Sequence, residues 1–405
     1  MPEAVIVSAA RSPIGRAYKG SLTTIRPDEL AVQVARAALD RVPGLDPATV
    51  DDLILGCGLP GGEQGFNLGR VVAVGLGLDK LPGVTVNRFC SSSLQTTRMA
   101  MHAIRAGEGD VFLSVGVETV SRLGPNPPDS DTTVHNPRYD QAQRRTADQA
   151  VANTAWSDPR TDGQVPDIYI AMGQTAENVA TRYAVSREDQ DRYAARSQNL
   201  AEAALDAGFW GREITPVTLP DGTVVSRDDG PRRGTTLEGL ARLEPVFRKK
   251  GTVTAGNACP LNDGAAALVI MSDVRAGELG LTPLARIVAT GISGVSPEIM
   301  GLGPVEATRD ALNRAGMSLG DIDLFEINEA FASQVLASVD ELGADLAKVN
   351  VHGGAIAIGH PFGMTGARIT TTLLNGLASR DATIGLETMC VGGGQGMAMI
   401  VERLA

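Results

Sequence analysis

Residues 38–55 read ALDRVPGLDPATVDDLIL, and residues 311–327 read ALNRAGMSLGDIDLFEI. Each stretch predicts the end of a helix, a turn that contains glycine, a short acidic helix start and then an apolar strand. A second pair of stretches, 90–118 and 359–402, places a turn rich in glycine or serine before a helix and a strand. Similarity at half the chain length favours two like α/β halves over a short-period solenoid, with chance resemblance of two βαβ units as the alternative.

The elements around these stretches also predict an α/β fold. Residues 4–10 and 51–55 are short apolar runs typical of buried strands, and 28–39 has the periodicity of an amphipathic helix. Strands that alternate with helices of ten or more residues predict βαβ units and a mostly parallel sheet. Residues 121–170 differ, because their six prolines and many polar residues predict an inserted loop region; residues 174–207 again read as helices.

The 405-residue chain has an ordinary globular composition, 43% hydrophobic and 20% charged. Its formal net charge of −11 argues against general nucleic-acid binding, which needs clustered Lys and Arg. Four Cys and four His without a CxxC or HExxH pair predict neither a disulfide scaffold nor a metal site. We find neither a secretory signal nor an apolar run of 18 residues, so we expect a cytoplasmic chain that does not span a membrane.

Basic residues are concentrated in one segment of this acidic chain. Residues 227–250 contain seven Lys or Arg against four Asp or Glu, a local charge of 7 − 4 = +3. This segment could receive a phosphorylated ligand, and an ordinary solvated surface explains the same count.

Residues 56–61, GCGLPG, match the GxGxxG pattern of dinucleotide-binding loops after a predicted strand. Such a loop requires a helix whose N-terminus meets the pyrophosphate. The following residues, 62–65 (GEQG), begin a helix poorly, and Pro60 lacks an N–H group. We therefore interpret this match as a turn.

Cys90 stands between a predicted strand at 84–87 and a predicted helix at 94–104. A cysteine at a helix N-terminus lies near unpaired backbone N–H groups and the positive end of the helix dipole, which favour the nucleophilic thiolate. A buried, unreactive cysteine is the alternative reading of this position.

Three further segments place chemically capable groups beside turns. Cys390 precedes the glycine-rich run 391–396, where backbone N–H groups can approach a reacting atom, as an oxyanion hole requires. His360 lies between Gly and Pro in the run 353–363, which predicts an imidazole fixed on a rigid turn. Asn328 follows a predicted strand, at the edge where open α/β sheets place their ligand sites.

Taken together, these segments resemble the thiolase family, the acyl-CoA C-acyltransferases. The resemblance covers essentially the whole chain, and the motifs occur in family order. The matching segments are AARSPIG (9–15), VNRFCSSS (86–93), MGQTAENVA (172–180), GTVTAGNACPLNDGAAA (251–267), EINEAFAS (326–333), NVHGGAIAIGHPFGMTGAR (350–368) and CVGGGQGMA (390–398).

The resemblance implies the thiolase fold, in which two similar α/β halves form a five-layer αβαβα arrangement with an inserted loop domain. Residues 1–120 with 251–273 would form the N-terminal half, and 274–405 the C-terminal half. Residues 121–250 would form the loop domain that binds coenzyme A. The resemblance also implies a homodimer or homotetramer.

The resemblance assigns roles to five residues. Cys90 would be the nucleophile that carries the acyl group, and His360 would take its proton. Cys390 would be the second acid/base, acting at the α-carbon of acetyl-CoA and at the thiol of coenzyme A. Asn328 would hold a water that forms one oxyanion hole with His360, and the N–H groups of Cys90 and Gly392 would form the other.

Coenzyme A would be a co-substrate, with acyl-CoA as the other ligand, and no cofactor would be bound permanently. The resemblance places Arg232 at the phosphate and adenine contacts and Met172 near the pantetheine and acyl pocket. Cys259 with Pro260 stands where members often have Ser-Gly, which puts the usual serine contact to pantetheine in doubt.

Three other positions depart from the family pattern. His352 stands at a position that is commonly Asn, and we interpret it as structural. Ala171 stands where short-chain biosynthetic members often carry His, which weakens the case for strict acetoacetyl-CoA specificity. Ser93 replaces a frequent Gly next to the nucleophile.

Two alternatives to a thiolase follow from the same fold. One is a decarboxylating condensing enzyme of the ketoacyl-synthase type, which uses one Cys with two His, or with His and Asn; Cys390 argues against it. The other is a non-catalytic acyl-CoA-binding protein, against which all four reactive residues argue. Acyl chain length and the direction of the reaction stay open at this stage.

Overall fold

The computed structural model describes residues 1–124 and 134–405 and consists of a large mixed sheet with helices packed on it. Its strands are β1 (Ala4–Arg11), β2 (Gly15–Arg16), β3 (Asp52–Gly56), β4 (Gly83–Val86), β5 (Val111–Thr119), β6 (Val217–Thr218), β7 (Val224–Val225), β8 (Asn262–Ser272), β9 (Ala285–Gly294), β10 (Leu324–Ile327), β11 (Ile384–Val391) and β12 (Gln395–Arg403). Its helices are α1 (Pro27–Asp40), α2 (Leu68–Gly75), α3 (Ser92–Ala106), α4 (Asp140–Ala152), α5 (Met172–Arg182), α6 (Arg187–Asp206), α7 (Leu237–Ala241), α8 (Asp273–Glu278), α9 (Gly303–Ala315), α10 (Ala332–Leu342), α11 (Ala355–Ile358) and α12 (Thr365–Ser379).

Two sets of strands with the same spatial order build the sheet. The first set runs β4-β3-β5-β8-β1, and the second runs β10-β11-β12-β9. A parallel bridge from Phe325 to Val349 extends the second set by one more segment, as β4 extends the first. The sets meet where β1 and β9 pair antiparallel at Val5–Arg286 and Ile6–Ala285. The repeated order agrees with two similar halves.

The prediction of a mostly parallel sheet is wrong, because one strand in each half runs antiparallel to both of its neighbours and the two halves join through an antiparallel pair. β8 is antiparallel to β5 and β1, and β12 is antiparallel to β11 and β9. In the second half the cause is local, because only residues 392–394 separate β11 from β12. Gly393 and Gly394 in this turn have φ values of 77° and 80°, which glycine adopts without strain.

Two helices form the central layer between the two sets of strands. α3 packs on β3 and β5, α12 packs on β10 and β11, and the two helices contact each other. A Cβ on Gly366 would overlap the backbone of Leu94, so this close approach requires glycine. The outer layers are α1 and α2 on the first half and α9 and α10 on the second. This arrangement gives the expected five layers.

The inserted region contains more helix than the sequence indicated. Within the stretch predicted as loop, residues 140–152 form α4, while 125–133 lie outside the described residues. α4 is polar and buries only Ala142 and Thr146, so its sequence carries little hydrophobic periodicity. The helices predicted at 174–207 are present as α5 and α6.

Candidate active site

Cys90 lies in a short 3-10 turn, Phe89–Ser91, directly before α3. Phe89 has a φ of 42°, which is uncommon for a bulky residue and indicates local strain before the cysteine. Arg88 donates hydrogen bonds to Gln95 of α3 at 3.0 Å and to Gln395 of β12 at 2.9 Å. The cysteine is 9% exposed, and the hydrogen bond from Arg88 to Gln395 places its turn against the second half.

His360 is buried, and its hydrogen bonds define its tautomer. Its Nδ1 lies 2.7 Å from the hydroxyl of Thr365, and that hydroxyl donates to the Pro361 carbonyl at 2.7 Å. The hydroxyl therefore accepts from Nδ1–H, so Nε2 keeps its lone pair. Burial, with a smaller contribution from the charge of Arg368, lowers the pKa of His360 to about 3, so the imidazole is neutral at ordinary pH.

Asn328 brings an amide from the end of β10 to this imidazole. Its Nδ2 lies 3.3 Å from Nε2 of His360, and its Oδ1 is buried without a hydrogen-bond partner among the described residues. The next residue, Glu329, anchors the loop, because its carboxylate accepts hydrogen bonds from Tyr193 and Ser197 at 2.9 and 2.7 Å. A buried acceptor without a partner beside a base is a place where a water or a ligand donor fits.

Cys390 and Gly392 lie at the end of β11 and in the turn that follows. Cys390 is fully buried in an apolar cluster with Met300 and Phe331. Burial raises its pKa, and both Cys90 and Cys259 are near enough to raise it further. A Cβ on Gly392 would lie 3.4 Å from the Phe89 ring, so this turn passes the nucleophile loop.

Cys259 is the third thiol of this site. Its N–H donates to the Ala330 carbonyl at 3.1 Å, and Ala258 forms a bridge with Phe331. Burial raises the pKa of Cys259, and Cys90 adds to this effect. The departure from the family pattern therefore places a half-buried thiol within electrostatic reach of both Cys90 and Cys390.

An open cavity of about 130 Å³ reaches Cys90. Gly392 and Gly393 border it, and His135 stacks on Tyr169 in its wall with ring centroids 3.9 Å apart. Its apolar lining consists of Leu59, Phe89, Ile168, Ile170, Met172 and Phe362. A mostly apolar lining is typical of pockets for small organic ligands. Met172, predicted near the acyl pocket, lies in this wall.

The basic stretch contributes less surface charge than its composition indicated. Arg248 is buried and donates to Asn178 at 2.6 Å, and Arg233 pairs with Glu202 at 3.1 Å. Arg232 is exposed at the surface, and partial desolvation of its guanidinium, with a smaller effect of the charge of Arg16, lowers its pKa. Arg232 does not line the cavity at Cys90.

Other positions singled out from the sequence are structural. The GCGLPG stretch is a turn, because the N–H groups of Gly58 and Leu59 donate to the carboxylate of Glu118, and no α-helix starts there. His352 stacks on Phe209 with centroids 3.8 Å apart, and burial lowers its pKa to about 4. These contacts agree with the structural interpretation of His352.

Three buried charged residues of this region were missed by the sequence analysis: Glu118, Glu329 and Arg368. The two glutamates follow apolar strand residues, a signal that a solvated strand end shares. Arg368 is fully buried and lies within electrostatic reach of Glu326 and His360. These three residues make their contacts with segments that are distant in the sequence, and sequence spacing does not predict such contacts.

Comparison with known proteins identifies the family. The family model "Thiolase, N-terminal domain" matches residues 4–274, and "Thiolase, C-terminal domain" matches 281–403. A 3-ketoacyl-CoA thiolase of Bacillus subtilis (strain 168) is 43% identical over 99% of this chain and 100% of its own. The crystal structure of the Bacillus anthracis acetyl-CoA acetyltransferase superposes with a TM-score of 0.87 at 41% identity, covering 100% of this chain and 99% of that one.

The human mitochondrial 3-ketoacyl-CoA thiolase in complex with CoA gives a TM-score of 0.85 at 37% identity, covering 100% of this chain and 98% of that chain. The fold and these matches define an enzyme of the acyltransferase class. The chain belongs to the thiolase family. This membership favours thiolysis or its reverse condensation over both alternatives considered from the sequence.

Proposed function

We propose that this thiolase cleaves 3-oxoacyl-CoA with coenzyme A, or runs the reverse condensation, through an acyl group carried on Cys90. His360 takes the thiol proton at Nε2, and the Cys90 sulfur attacks the 3-oxo carbon. The Cα–Cβ bond breaks, and Cys390 gives its proton to the departing acetyl-CoA enolate. The observation that carries this proposal is that Cys390 lies within electrostatic reach of Cys90, while Phe362, which packs on the neutral imidazole of His360, borders the same cavity as Cys90.

The second half-reaction restores the enzyme. Cys390, now a thiolate, takes the proton of the coenzyme A thiol, whose sulfur attacks the acyl-Cys90 thioester. His360 returns its proton to Cys90 as the acyl-CoA leaves. Burial raises the pKa of Cys390, so its thiol stays protonated until the strongly basic enolate forms and accepts the proton.

Each half-reaction develops negative charge on an oxygen, and two sets of donors are proposed for it. Asn328 would hold a water with its buried Oδ1, and that water would act together with His360. The backbone N–H groups of Cys90 and Gly392, which border one cavity, would form the other set.

We propose that coenzyme A enters over the loop domain, with Arg232 at its phosphates and Cys259 beside the pantetheine. Support comes from the exposure of Arg232 and from the contact of Cys259 with Ala330. The apolar cavity with Met172 would receive the acyl chain. Its apolar lining supports an acyl chain at this place.

We also propose the domain limits expected from the sequence: 1–120 with 251–273, 121–250 and 274–405. The pairing of β8 with β1 and β5 supports the return of 251–273 to the first half. A homodimer or homotetramer is proposed, and the outer edge of β4, half-buried and unpaired among described residues, supports it.

A cytoplasmic location is proposed from the chemistry of the thiols. All four cysteines are without a disulfide, which suits a reducing compartment. In the described residues, no helix combines the length and apolarity that crossing a bilayer requires.

The roles of the two thiols are tested by substitution and mass spectrometry. Cys90→Ala should abolish acyl-enzyme formation from a 3-oxoacyl-CoA. Cys390→Ala should still form some acyl-enzyme but should lose exchange of the acetyl-CoA α-proton with deuterium. Met101→Leu, a volume-conserving change in the core of α3, is the control and should keep activity. Full thiolysis by Cys90→Ala would contradict the assignment.

A further inference from the structure

Glu118 occupies a fully buried position between two loops that flank the reaction centre. Its Oε2 accepts hydrogen bonds from the N–H groups of Gly58 and Gly363, both at 2.8 Å. Its Oε1 accepts from Gln64 Nε2 at 2.6 Å and from the Leu59 N–H at 3.3 Å. One carboxyl group near the end of β5 therefore holds a loop of the first half and a turn of the second.

The contacts of Glu118 require its ionised form. All four of these groups donate, so a protonated carboxyl would bring an additional donor into a ring of donors. Burial raises the pKa of Glu118, whereas the hydrogen bonds lower it. Gln64 is itself oriented, because its Oε1 accepts from Thr119 and its Nε2 is left to donate.

The turn held through Gly363 is the one that carries His360. A Cβ on Gly58 would lie 2.8 Å from the Cβ of Phe362 and 3.3 Å from the carbonyl oxygen of Phe89. Gly58 is therefore packed between Phe362, which lies two residues after His360, and Phe89, which precedes the proposed nucleophile. A shift of the Gly58 loop or of the Gly363 turn would change the distance between base and thiol.

We propose that Glu118 is a positioning residue for acyl transfer: by binding backbone N–H groups of both halves, it sets His360 at the correct distance from Cys90. The inference rests on the roles proposed for those two residues. Glu118 itself lies behind the two loops and acts through them. A misplacement of about 1 Å in a reacting group can cost about 100-fold in rate, so a remote anchor can have a large kinetic effect.

The test is Glu118→Gln, which keeps the side-chain volume and replaces one acceptor oxygen by an NH₂ group facing N–H donors. We expect kcat for thiolysis to fall about 10- to 100-fold, with the KM for coenzyme A within about twofold. We also expect the pH profile of Cys90 alkylation by iodoacetamide to move to higher pH, because His360 no longer accepts the thiol proton in place. Thermal unfolding monitors the folded fraction.

Glu387→Gln is the matched control. Glu387 is also a fully buried strand glutamate, and it contacts Thr370. This variant should change stability and leave kcat and the alkylation profile as they are. If the Glu118 variant does not fold, Gln64→Leu provides a second test, because it removes the side-chain donor to Glu118. It should lower kcat by only about 3- to 10-fold, since the backbone N–H groups still bind the Glu118 carboxylate.

The outcomes separate this inference from the proposed function. Normal kcat and a normal alkylation profile in folded Glu118→Gln, or in Gln64→Leu, would overturn the positioning role. Equal effects in Glu387→Gln would do the same, because they would show a general consequence of replacing a buried glutamate. Thiolysis retained by Cys90→Ala would instead refute the roles on which the inference rests.

Discussion

The hydroxyl of Thr365 determines which nitrogen of His360 can act as the base, so Thr365→Val tests the acid/base assignment directly. In the native protein the hydroxyl accepts from Nδ1–H at 2.7 Å and donates to the Pro361 carbonyl. Valine has nearly the same shape but no acceptor. The Nδ1–H would be buried without a partner, and the imidazole would prefer the tautomer with its proton on Nε2, where it cannot accept from Cys90.

The magnitude follows from the cost of a buried unpaired donor, about 1–3 kcal/mol. Because about 1.4 kcal/mol corresponds to a factor of ten, the competent tautomer would fall by about 5- to 150-fold. We expect the rate of acyl-enzyme formation to fall by the same factor. The free energy of unfolding should fall by about 1–3 kcal/mol as well.

Rapid-quench mass spectrometry of the Cys90 adduct measures the acylation rate, and denaturant unfolding measures stability. Thr365→Ser keeps the hydroxyl and is the control, with an acylation rate within about threefold of the native protein. Burial lowers the pKa of His360 to about 3. Above about pH 4, the acylation rate should therefore not change with pH through protonation of His360. An acylation rate of Thr365→Val equal to that of Thr365→Ser would refute the reasoning.

Three further predictions concern stability and specificity. Burial raises the pKa of Glu387 to about 8 from 4.5, so the folded protein binds a proton that the unfolded chain has lost, and stability falls as pH rises from about 4.5 to 8. Glu387→Gln should remove this loss of stability. The urea midpoints of the variant and the native protein should therefore agree near pH 4.5, and the variant should be more stable at pH 8. If the two midpoints changed equally with pH, this prediction would be contradicted. The added Cβ of Gly366→Ala should overlap Leu94 and lower the free energy of unfolding by about 1–3 kcal/mol. Gly277→Ala is the control, because its Cβ would meet no atom within 4 Å. Equal stability of the two variants would contradict the packing argument. Ile168→Trp should narrow the cavity and lower kcat/KM for long-chain 3-oxoacyl-CoA about 10- to 200-fold. The kcat/KM for acetoacetyl-CoA should be unchanged. An equal loss for substrates of all chain lengths would show that this cavity is not the acyl site.

Much of the fold could be predicted because the relevant signals are local. The repeat of 38–55 at 311–327 indicated two like halves, and both stretches lead into β3 and β10, which occupy the same place in their strand sets. α4 could not be predicted, since a helix that buries two residues has little apolar periodicity. The antiparallel direction of β8 could not be predicted either, because an inserted region of more than 100 residues carries the chain back to the sheet by a route that no local pattern describes.

The sequence by itself determined the family and the chemical inventory: Cys90, Asn328, His360 and Cys390 on motifs beside turns. Only the tertiary structure decided how these groups are tuned. It placed Cys259 within reach of the two other thiols, gave Nε2 of His360 its lone pair through Thr365, and buried Arg248, which sequence reasoning had counted as surface charge. The reason is physical: a residue type fixes which proton can move, whereas burial and hydrogen bonds from distant segments fix the pKa and position at which it moves.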